Sequence, residues 1–286
     1  MDVGVGLPNA VVGATGEQLV QFAREGEKHG FSSLGTIDRL VYDNYDPFVA
    51  LAAAAAVTDR IRLATAVLLV PWRVNAALVA KQAASVHALS GGRMVLGAAL
   101  GAREDDYAAS GVPTEGRGRR FDGMLAEMRR IWEGEERGHA GAIGPLSHGA
   151  PQLLVGGQVD AAFERAARFG DGWIMGAGSP DQFAEMSSKV KKAWTDAGRE
   201  GEPRLMSIAY FSLGPEAEEN AEKGVGNYYD WLGDIRDKIV GSVATDPETV
   251  RQYASGFEEV GCDELIFFPS SASSEQPALL REALEG

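Results

Sequence analysis

Two glycine turns carry the clearest chemical signal in this chain. Gly156-Gly157-Gln158 ends one apolar run and Gly176-Ala177-Gly178-Ser179-Pro180 ends the next, each directly ahead of a helical pattern. Small residues at a helix N-terminus leave backbone N–H groups open to an anion without any basic side chain. Either turn alone reads equally well as an ordinary strand-to-helix connection, but two on neighbouring strands would clamp one phosphate group between them. Other apolar strands deliver single polar groups. Asp38 follows Thr36-Ile37, Thr65 sits within Leu63–Pro71, and Arg103-Glu104-Asp105 follows Gly101. Asp38 can also pair with Arg39 or cap a turn, and the three charges after Gly101 read by default as a solvated face. Flat apolar walls, a few polar groups and one phosphate clamp suit a flavin-like cofactor.

Several other chemistries find no support. His29 ends a helical pattern, His87 lies inside one, and His139 and His148 fall in a glycine-rich stretch, so no pair has metal-ligand spacing. There is no H-E-x-x-H, G-x-S-x-G or G-x-x-x-x-G-K pattern. The stretch LSGGRMVLGAALGARED at 89–105 resembles a dinucleotide loop only superficially. After Gly97 the second glycine of G-x-G-x-x-G is missing and the last, Gly101, comes one position early. The next helical pattern begins near 117, which leaves no helix N-terminus at these glycines. The stretch reads instead as a strand entered through Gly91-Gly92.

Positioning these groups requires an alternating architecture. Strand patterns fall at 2–7, 32–37, 61–70, 93–100, 152–156, 172–176, 204–213 and 263–268. Helical patterns fall at 16–29, 46–58, 74–89, 117–134, 158–169, 180–198, 215–240, 246–260 and 275–284. Capping signals mark helix starts at Thr15, Ser179 and Thr245-Asp246, and Gly30, Gly170 and Gly198 mark stops. The strands are continuous apolar runs, as in a parallel sheet covered on its faces. Eight strand–helix units with no linker predict a single-domain (β/α)8 TIM barrel, with the site at the C-terminal strand ends. A doubly wound sheet is the competing fold. The aperiodic, glycine-rich stretch 133–150 is expected to be a surface excursion, a candidate flap over the barrel mouth. The run LAAAAAV at 51–57 suits close packing on the barrel's own sheet, or across a homodimer interface continued by Ala76, Ala77 and Ala80.

Composition bounds the partners. The 286-residue chain has a net charge of −14, which argues against nucleic acid or an anionic membrane surface. Cys262 is alone, so no intramolecular disulfide forms, as befits a reducing compartment. The start MDVGVGLPN lacks the features of a signal peptide, and no apolar run reaches membrane length. A cytoplasmic protein is expected.

Taken together, these residues resemble the bacterial-luciferase-like family of flavin- or F420-dependent oxidoreductases. The similarity covers essentially the whole chain and is strongest in TDRIRLATAVLLVPWR (58–73), AKQAASVHALSGGRMVLG (80–97), the stretch 103–132 and PQLLVGG…AARFGDGWI (151–174). The L-S-G-G-R element and the downstream G-V-P…R-G-R-R-F-D element are specific to that family. The resemblance implies a TIM barrel with the isoalloxazine over a third-strand bulge at Thr65, Ala66, Val67 and Leu68. It also implies a phosphate at Gly156-Gly157 and Gly176-Ala177-Gly178. Asp38 matches a second-strand position that faces the deazaflavin in F420-using relatives, and Asp105 falls near a cofactor-contacting position. Homodimers are common in the family.

Some positions depart from the family pattern. Arg73-Val74-Asn75-Ala76 replaces the frequent Arg-Asn-Pro, Ala98-Ala99-Leu100 replaces a turn richer in glycine, and Ala102 stands where sugar-phosphate dehydrogenases carry an acid. Asp38 stands where luciferases proper have a histidine nearby, which argues against aldehyde light chemistry. The stretch 133–150 is shorter than the insertion of the large two-component monooxygenases.

The reading that follows is a redox enzyme binding FMN, or alternatively F420, that transfers a hydride to or from a small organic substrate or activates oxygen on the flavin. A non-catalytic flavin-binding barrel is the alternative from another class. Asp38 and Arg103 are the candidate groups near the ring, with Trp72 and His148 as candidate walls. F420, with its anionic tail, would call on a basic patch of Arg39, Arg73 and Arg103. The expected partners are the substrate, a second copy of the chain and, for oxygen chemistry on FMN, a separate flavin reductase. No metal site is expected.

Overall fold

In the computed structural model, which describes residues 1–286, eight parallel strands pair in sequence order and close on themselves. They are β1 (Asp2–Gly6), β2 (Ser33–Thr36), β3 (Arg62–Leu69), β4 (Met94–Ala99), β5 (Gln152–Gly156), β6 (Gly172–Met175), β7 (Arg204–Phe211) and β8 (Glu264–Pro269). The helices are α1 (Gly16–Lys28), α2 (Pro47–Ala55), α3 (Ala76–Leu89), α4 (Glu104–Ala109), α5 (Arg117–Trp132) and α6 (Asp160–Phe169). They continue with α7 (Pro180–Asp196), α8 (Ala217–Ala221), α9 (Asp234–Val240), α10 (Pro247–Glu259) and α11 (Gln276–Glu285). This is the expected (β/α)8 TIM barrel, and no helix is long and apolar enough to cross a membrane.

The caps read from the sequence act as hydrogen-bond partners. Thr15 accepts from Gln18 N–H and Ser179 from Gln182 N–H, both as full capping boxes, and Asp246 accepts from Thr249 N–H. Each satisfies a donor that the first helical turn would otherwise leave open.

Two apolar layers follow from the alternation of strand side chains. Inward residues, among them Ala64, Val95, Leu154, Ile174, Met206, Ile208, Ile266 and Phe268, fill the barrel. Outward residues such as Leu63, Leu96, Val155 and Phe267 pack against the helices. Glycines decide how Phe268 fits. A Cβ on Gly6 would lie 2.2 Å from its ring and one on Gly35 2.7 Å, so β1 and β2 give up side chains to admit one aromatic. At the lower end, buried Glu264 joins Arg62, Arg204 and Ser32.

The strand β3 is irregular. Thr65 pairs with Leu96 and Leu68 with Ala98, so Ala66 and Val67 oppose the single residue Gly97, and the Ala66–Val67 peptide is cis. A β-bulge of this kind re-aims the chain at a barrel rim. The carbonyl of Thr65 presses on Gly97, where a Cβ would sit 2.3 Å away, and Thr65 Oγ1 donates to Gly97 O at 2.7 Å. The missing side chain at Gly97 therefore serves the bulge.

Three expectations need correction. A short helix, α4, does follow Gly101 directly; its acidic first turn, Glu104-Asp105-Asp106, starts it without a Ser or Thr cap. The span 215–240 is not one helix but α8, a π-helical turn at Glu222–Gly226, a 3-10 turn at Asp230–Leu232 and α9, interrupted by glycines including Gly233 at φ 56°. The stretch 133–150 is no flap over the mouth. It links α5 to β5, and a helix-to-strand connection must return to the strand's N-terminal end. There His148 packs against Gly92 and stands edge to face with His87, with ring centroids 6.3 Å apart, at the end opposite the mouth.

The alanine run packs in part on the barrel itself. Ala50, Ala54 and Ala55 are buried against the barrel, as is Ala80 on α3, whereas Val49 and Leu78 on the outer sides of the same helices are exposed.

Gly97→Ala forces a methyl into the Thr65 carbonyl. It is expected to cost about 2 kcal/mol of stability, as overpacking of a tight site does, measured by urea unfolding, with a smaller loss if the bulge relaxes.

Candidate active site

The end of β3 is held by Asp38. Its carboxylate is fully buried, accepts the Leu69 N–H at 2.8 Å and pairs with Arg73 at 2.9 Å. Arg73 also reaches Asp46, whose carboxylate caps α2 by accepting from the amides of Phe48 and Val49. One guanidinium thus ties together the ends of β2 and β3 and the start of α2. Burial pushes the Asp38 carboxyl up to about 6, against the opposing pull of Arg73 and the Leu69 amide. Desolvation is the larger effect because no water reaches the group.

Above the bulge a cavity of about 200 Å3 opens at the C-terminal strand ends. Small residues, Ala66, Val67, Gly101, Ala102, Gly176 and Ala177, line one part of it. Ile37, Ile208, Tyr210, Tyr228, Tyr229 and Trp231 line the other. The segment after β7 supplies the aromatic cover. It is latched to the β2–α2 loop by Tyr42 donating to Asn227 Oδ1 at 2.8 Å and by the edge-to-face contact of Tyr42 with Tyr228.

The cavity brings together Asp38, Arg103, Ala66, Val67, Gly176 and Ala177 from the residues singled out in the sequence. Thr65 and Leu68 are buried in the wall behind it. Asp105 lies on the rim, bonded to Arg103, which also stacks on Trp231 at 5.3 Å. Trp72 packs beneath the Arg73 guanidinium at 4.6 Å and is not among the lining residues, and His148 is at the far end of the barrel. The three arginines are no free basic patch. Arg39 is bonded to buried Asp106 at 2.8 Å, Arg73 to Asp38 and Asp46, and Arg103 to Asp105.

The two glycine turns are adjacent, since β5 pairs with β6, but they are not equivalent. At the second, Pro180 has no N–H to offer and the Ser179–Gln182 capping box takes the N–H groups of Ser179 and Gln182, which leaves only that of Asp181 in the first turn of α7. At the first, the N-cap of α6 is Val159, which offers no side-chain cap, so the N–H groups of Asp160 and Ala161 remain available while that of Ala162 donates to Val159 O. Gly157 has φ 140°, a Cβ there would lie 2.6 Å from Ala162, and its carbonyl accepts from Trp173 Nε1 at 2.8 Å. Gly156 packs toward Val67 and Ala99, while Gly178 sits against Gln182.

Sequence reasoning missed Tyr210, Tyr228, Tyr229, Trp231 and Asp106. Tyr210 was accessible, because Met206, Ile208 and Tyr210 alternate on one face of β7. The cluster Tyr228-Tyr229-Asp230-Trp231 lay inside an assumed helix, where aromatics read as core. Nothing in the sequence links Arg39 to Asp106 across 67 positions.

A closed parallel barrel with a small-walled, polar-rimmed cavity at the C-terminal ends of its strands is a TIM barrel whose candidate site lies on the face where such barrels carry their active sites. The model of the luciferase-like monooxygenase family matches residues 1–265, and the chain belongs to that family. It is 31% identical over 295 residues to the F420-dependent glucose-6-phosphate dehydrogenase of Gordonia bronchialis, covering 87% of this chain and 86% of that protein. Monooxygenase RslO1 from Streptomyces bottropensis superposes with a TM-score of 0.80 at 23% identity, covering 100% of this chain and 99% of that one. The FMN complex of the oxygenating constituent of 3,6-diketocamphane monooxygenase from Pseudomonas putida gives 0.76 at 18% identity, covering 100% and 96%. At those identities the two structures show a shared fold.

The raised Asp38 value sets a signed prediction. A folded-state value near 6 against the ordinary 3.8 means that the folded chain binds the extra proton between these pH values, so this group adds stability as pH falls. Relative to Asp38→Asn, the wild type should gain about 1 kcal/mol of unfolding free energy between pH 7.5 and pH 5, read from urea titrations at both values. A relative loss would contradict the raised value.

Proposed function

We propose that the chain is an oxidoreductase that binds the ring of FMN at the barrel mouth and acts on a small organic substrate there. The observation that carries this reading is the wall of Ala66, Val67, Gly101, Ala102, Gly176 and Ala177 above the bulge, where side chains are too small to keep a flat ring away. A Cβ on Gly176 would meet nothing within 4 Å, so open space continues past this turn. The uncapped start of α6 beside Gly157 suits one phosphate. The α7 turn contributes shape more than donors, and Asp160 in the first turn of α6 limits the charge that site would take.

F420 is the second reading, favoured by the F420-dependent relative at 31% identity. Its anionic tail would not find Arg39, Arg73 and Arg103 free, since each already has a carboxylate partner. This favours FMN, whose single phosphate needs no such patch.

When bound, a flavin or deazaflavin supplies the hydride-transfer chemistry. The protein's own groups bind, orient and exclude water. Asp38 and Arg73 hold the bulge on which the ring would rest, Arg103 with Asp105 borders it, and the Tyr228–Trp231 segment covers it. Asp38 acts here by positioning, because its carboxylate is committed to Leu69 and Arg73. For a homodimer the exposed Val49 and Leu78 on α2 and α3 offer an apolar seat, with Val74 close in sequence.

Separate titrations of the purified chain with FMN and with F420, followed by absorbance and fluorescence, should show micromolar binding of FMN and weaker binding of F420. Micromolar binding of neither would overturn the reading. Ala177→Trp fills the mouth and should weaken cofactor binding more than about tenfold, with an unchanged circular dichroism spectrum. Val49→Asp with Leu78→Asp should convert a dimer to a monomer in analytical ultracentrifugation; a wild-type monomer at micromolar concentration would remove the homodimer.

A further inference from the structure

Three tyrosines meet at the mouth from two elements. Tyr210 points into the barrel from β7, stacked above Ile208 and Met206. Tyr228 and Tyr229 come from the segment between the π-helical turn and α9. The hydroxyls of Tyr210 and Tyr229 are hydrogen-bonded at 2.7 Å, the rings of Tyr228 and Tyr229 stand edge to face at 4.9 Å, and all three line the cavity. Each hydroxyl has one proton to donate and two lone pairs. The Tyr210–Tyr229 bond consumes one proton, so the pair keeps a second one free. Tyr228 uses its ring face against Arg39 at 5.6 Å and makes no hydrogen bond to the protein through its hydroxyl. Burial raises all three phenols above their ordinary value, so they remain neutral donors at physiological pH.

The charged groups of the same cavity behave oppositely. Asp38 is matched by Arg73, Arg39 by Asp106, and Arg103 by Asp105. A charged ligand head entering this space would lose its hydration and find every opposite charge already committed, which is far costlier than burying a neutral polar group. A neutral oxygen would meet uncommitted O–H donors, with Ile37 and Ile208 beside it for hydrocarbon.

We infer that the site selects an uncharged organic substrate carrying a carbonyl or hydroxyl oxygen, which is held by hydrogen bonds from the Tyr210–Tyr229 pair and Tyr228 while its hydrocarbon part lies against Ile37 and Ile208. The inference rests on the cofactor reading above, because it assigns the aromatic side of the mouth to substrate and leaves the small-walled side to the ring. Either oxidation state suits the donors, since a ketone oxygen and an alcohol oxygen both accept.

The test uses four six-membered-ring probes of similar size: cyclohexanone, cyclohexanol, methylenecyclohexane and cyclohexanecarboxylate. Their binding is followed by ligand-observed NMR on the cofactor-free chain and by the absorbance change of bound cofactor on the loaded chain. The ketone and alcohol should bind about tenfold more tightly than the isosteric hydrocarbon and the carboxylate, the scale set by donors left unpaired when the oxygen is missing. Tyr229→Phe and Tyr228→Phe should each erase most of the preference for ketone over hydrocarbon in the cofactor-free chain, while binding of the hydrocarbon changes less than about twofold. Carboxylate binding as tight as ketone binding overturns the inference, and so does an unchanged preference in both variants. Failure of FMN and F420 to bind defeats the cofactor reading instead, and the NMR series still decides the substrate class. If a variant does not fold, the wild-type ranking of the four probes decides alone.

Discussion

The buried ion pair of Asp38 and Arg73 is the interaction on which the mouth of this barrel depends. Asp38 follows β2, accepts the Leu69 amide just past the β3 bulge and holds a guanidinium that also grips the N-cap of α2. Taken as isolated charges, such a pair gains little, since desolvation offsets most of the attraction. Its value here is geometric. It fixes where β3 stops being a regular strand, and so where Ala66 and Val67 present themselves. Gly97 completes the arrangement from β4 by leaving room for the Thr65 carbonyl. Backbone, side chain and missing side chain have to agree for the ledge to exist.

Above that ledge the chain resolves its charges internally. A molecule with net charge −14 matches the two arginines that line the cavity, Arg39 and Arg103, with carboxylates, and the lining Asp38 with Arg73 behind it. What remains uncommitted is neutral: small walls, an uncapped helix start and tyrosine hydroxyls. Arg39 and Asp106 show how far this matching shapes the backbone, because Asp106 also accepts the amides of Leu40 and Val41 and so folds the β2–α2 loop against α4. The same loop, through Tyr42, meets the aromatic segment from β7 across the mouth. The cover is therefore built from two loops that lie far apart in sequence and on different sides of the barrel.

The fold and parts of the site were legible in the sequence for physical reasons. Continuous apolar runs at regular spacing betray a parallel sheet buried on both faces, and capping residues such as Thr15, Ser179 and Asp246 act locally, within four residues. The small residues Gly176 and Ala177 and the polar Asp38 and Arg103 follow from strand ends, Ala66 follows from the family resemblance, and all of them line the cavity. The aromatic cover was not legible. Periodicity gives no sign that the chain breaks at Glu222–Gly226 and Gly233, so Tyr228 and Trp231 fall inside the single helical pattern read over 215–240. The excursion at 133–150 was placed at the wrong end because composition carries no direction, whereas its position between a helix and a strand does.

By itself, the sequence determined the eight strand–helix units, their order and their right to close, since hydrophobic period, capping and turn chemistry are properties of neighbours along the chain. Only the tertiary structure decided which charges meet. Arg39 finds Asp106 and Arg73 finds Asp38 through the closure of the barrel, and the Tyr210–Tyr229 contact needs a strand and a broken helix to return to the same rim. Whether a charged residue is a free ligand-binding group or a committed partner depends on what the fold brings within about 3 Å of it, the range of a hydrogen-bonded ion pair. That distance is not written in any spacing along the chain.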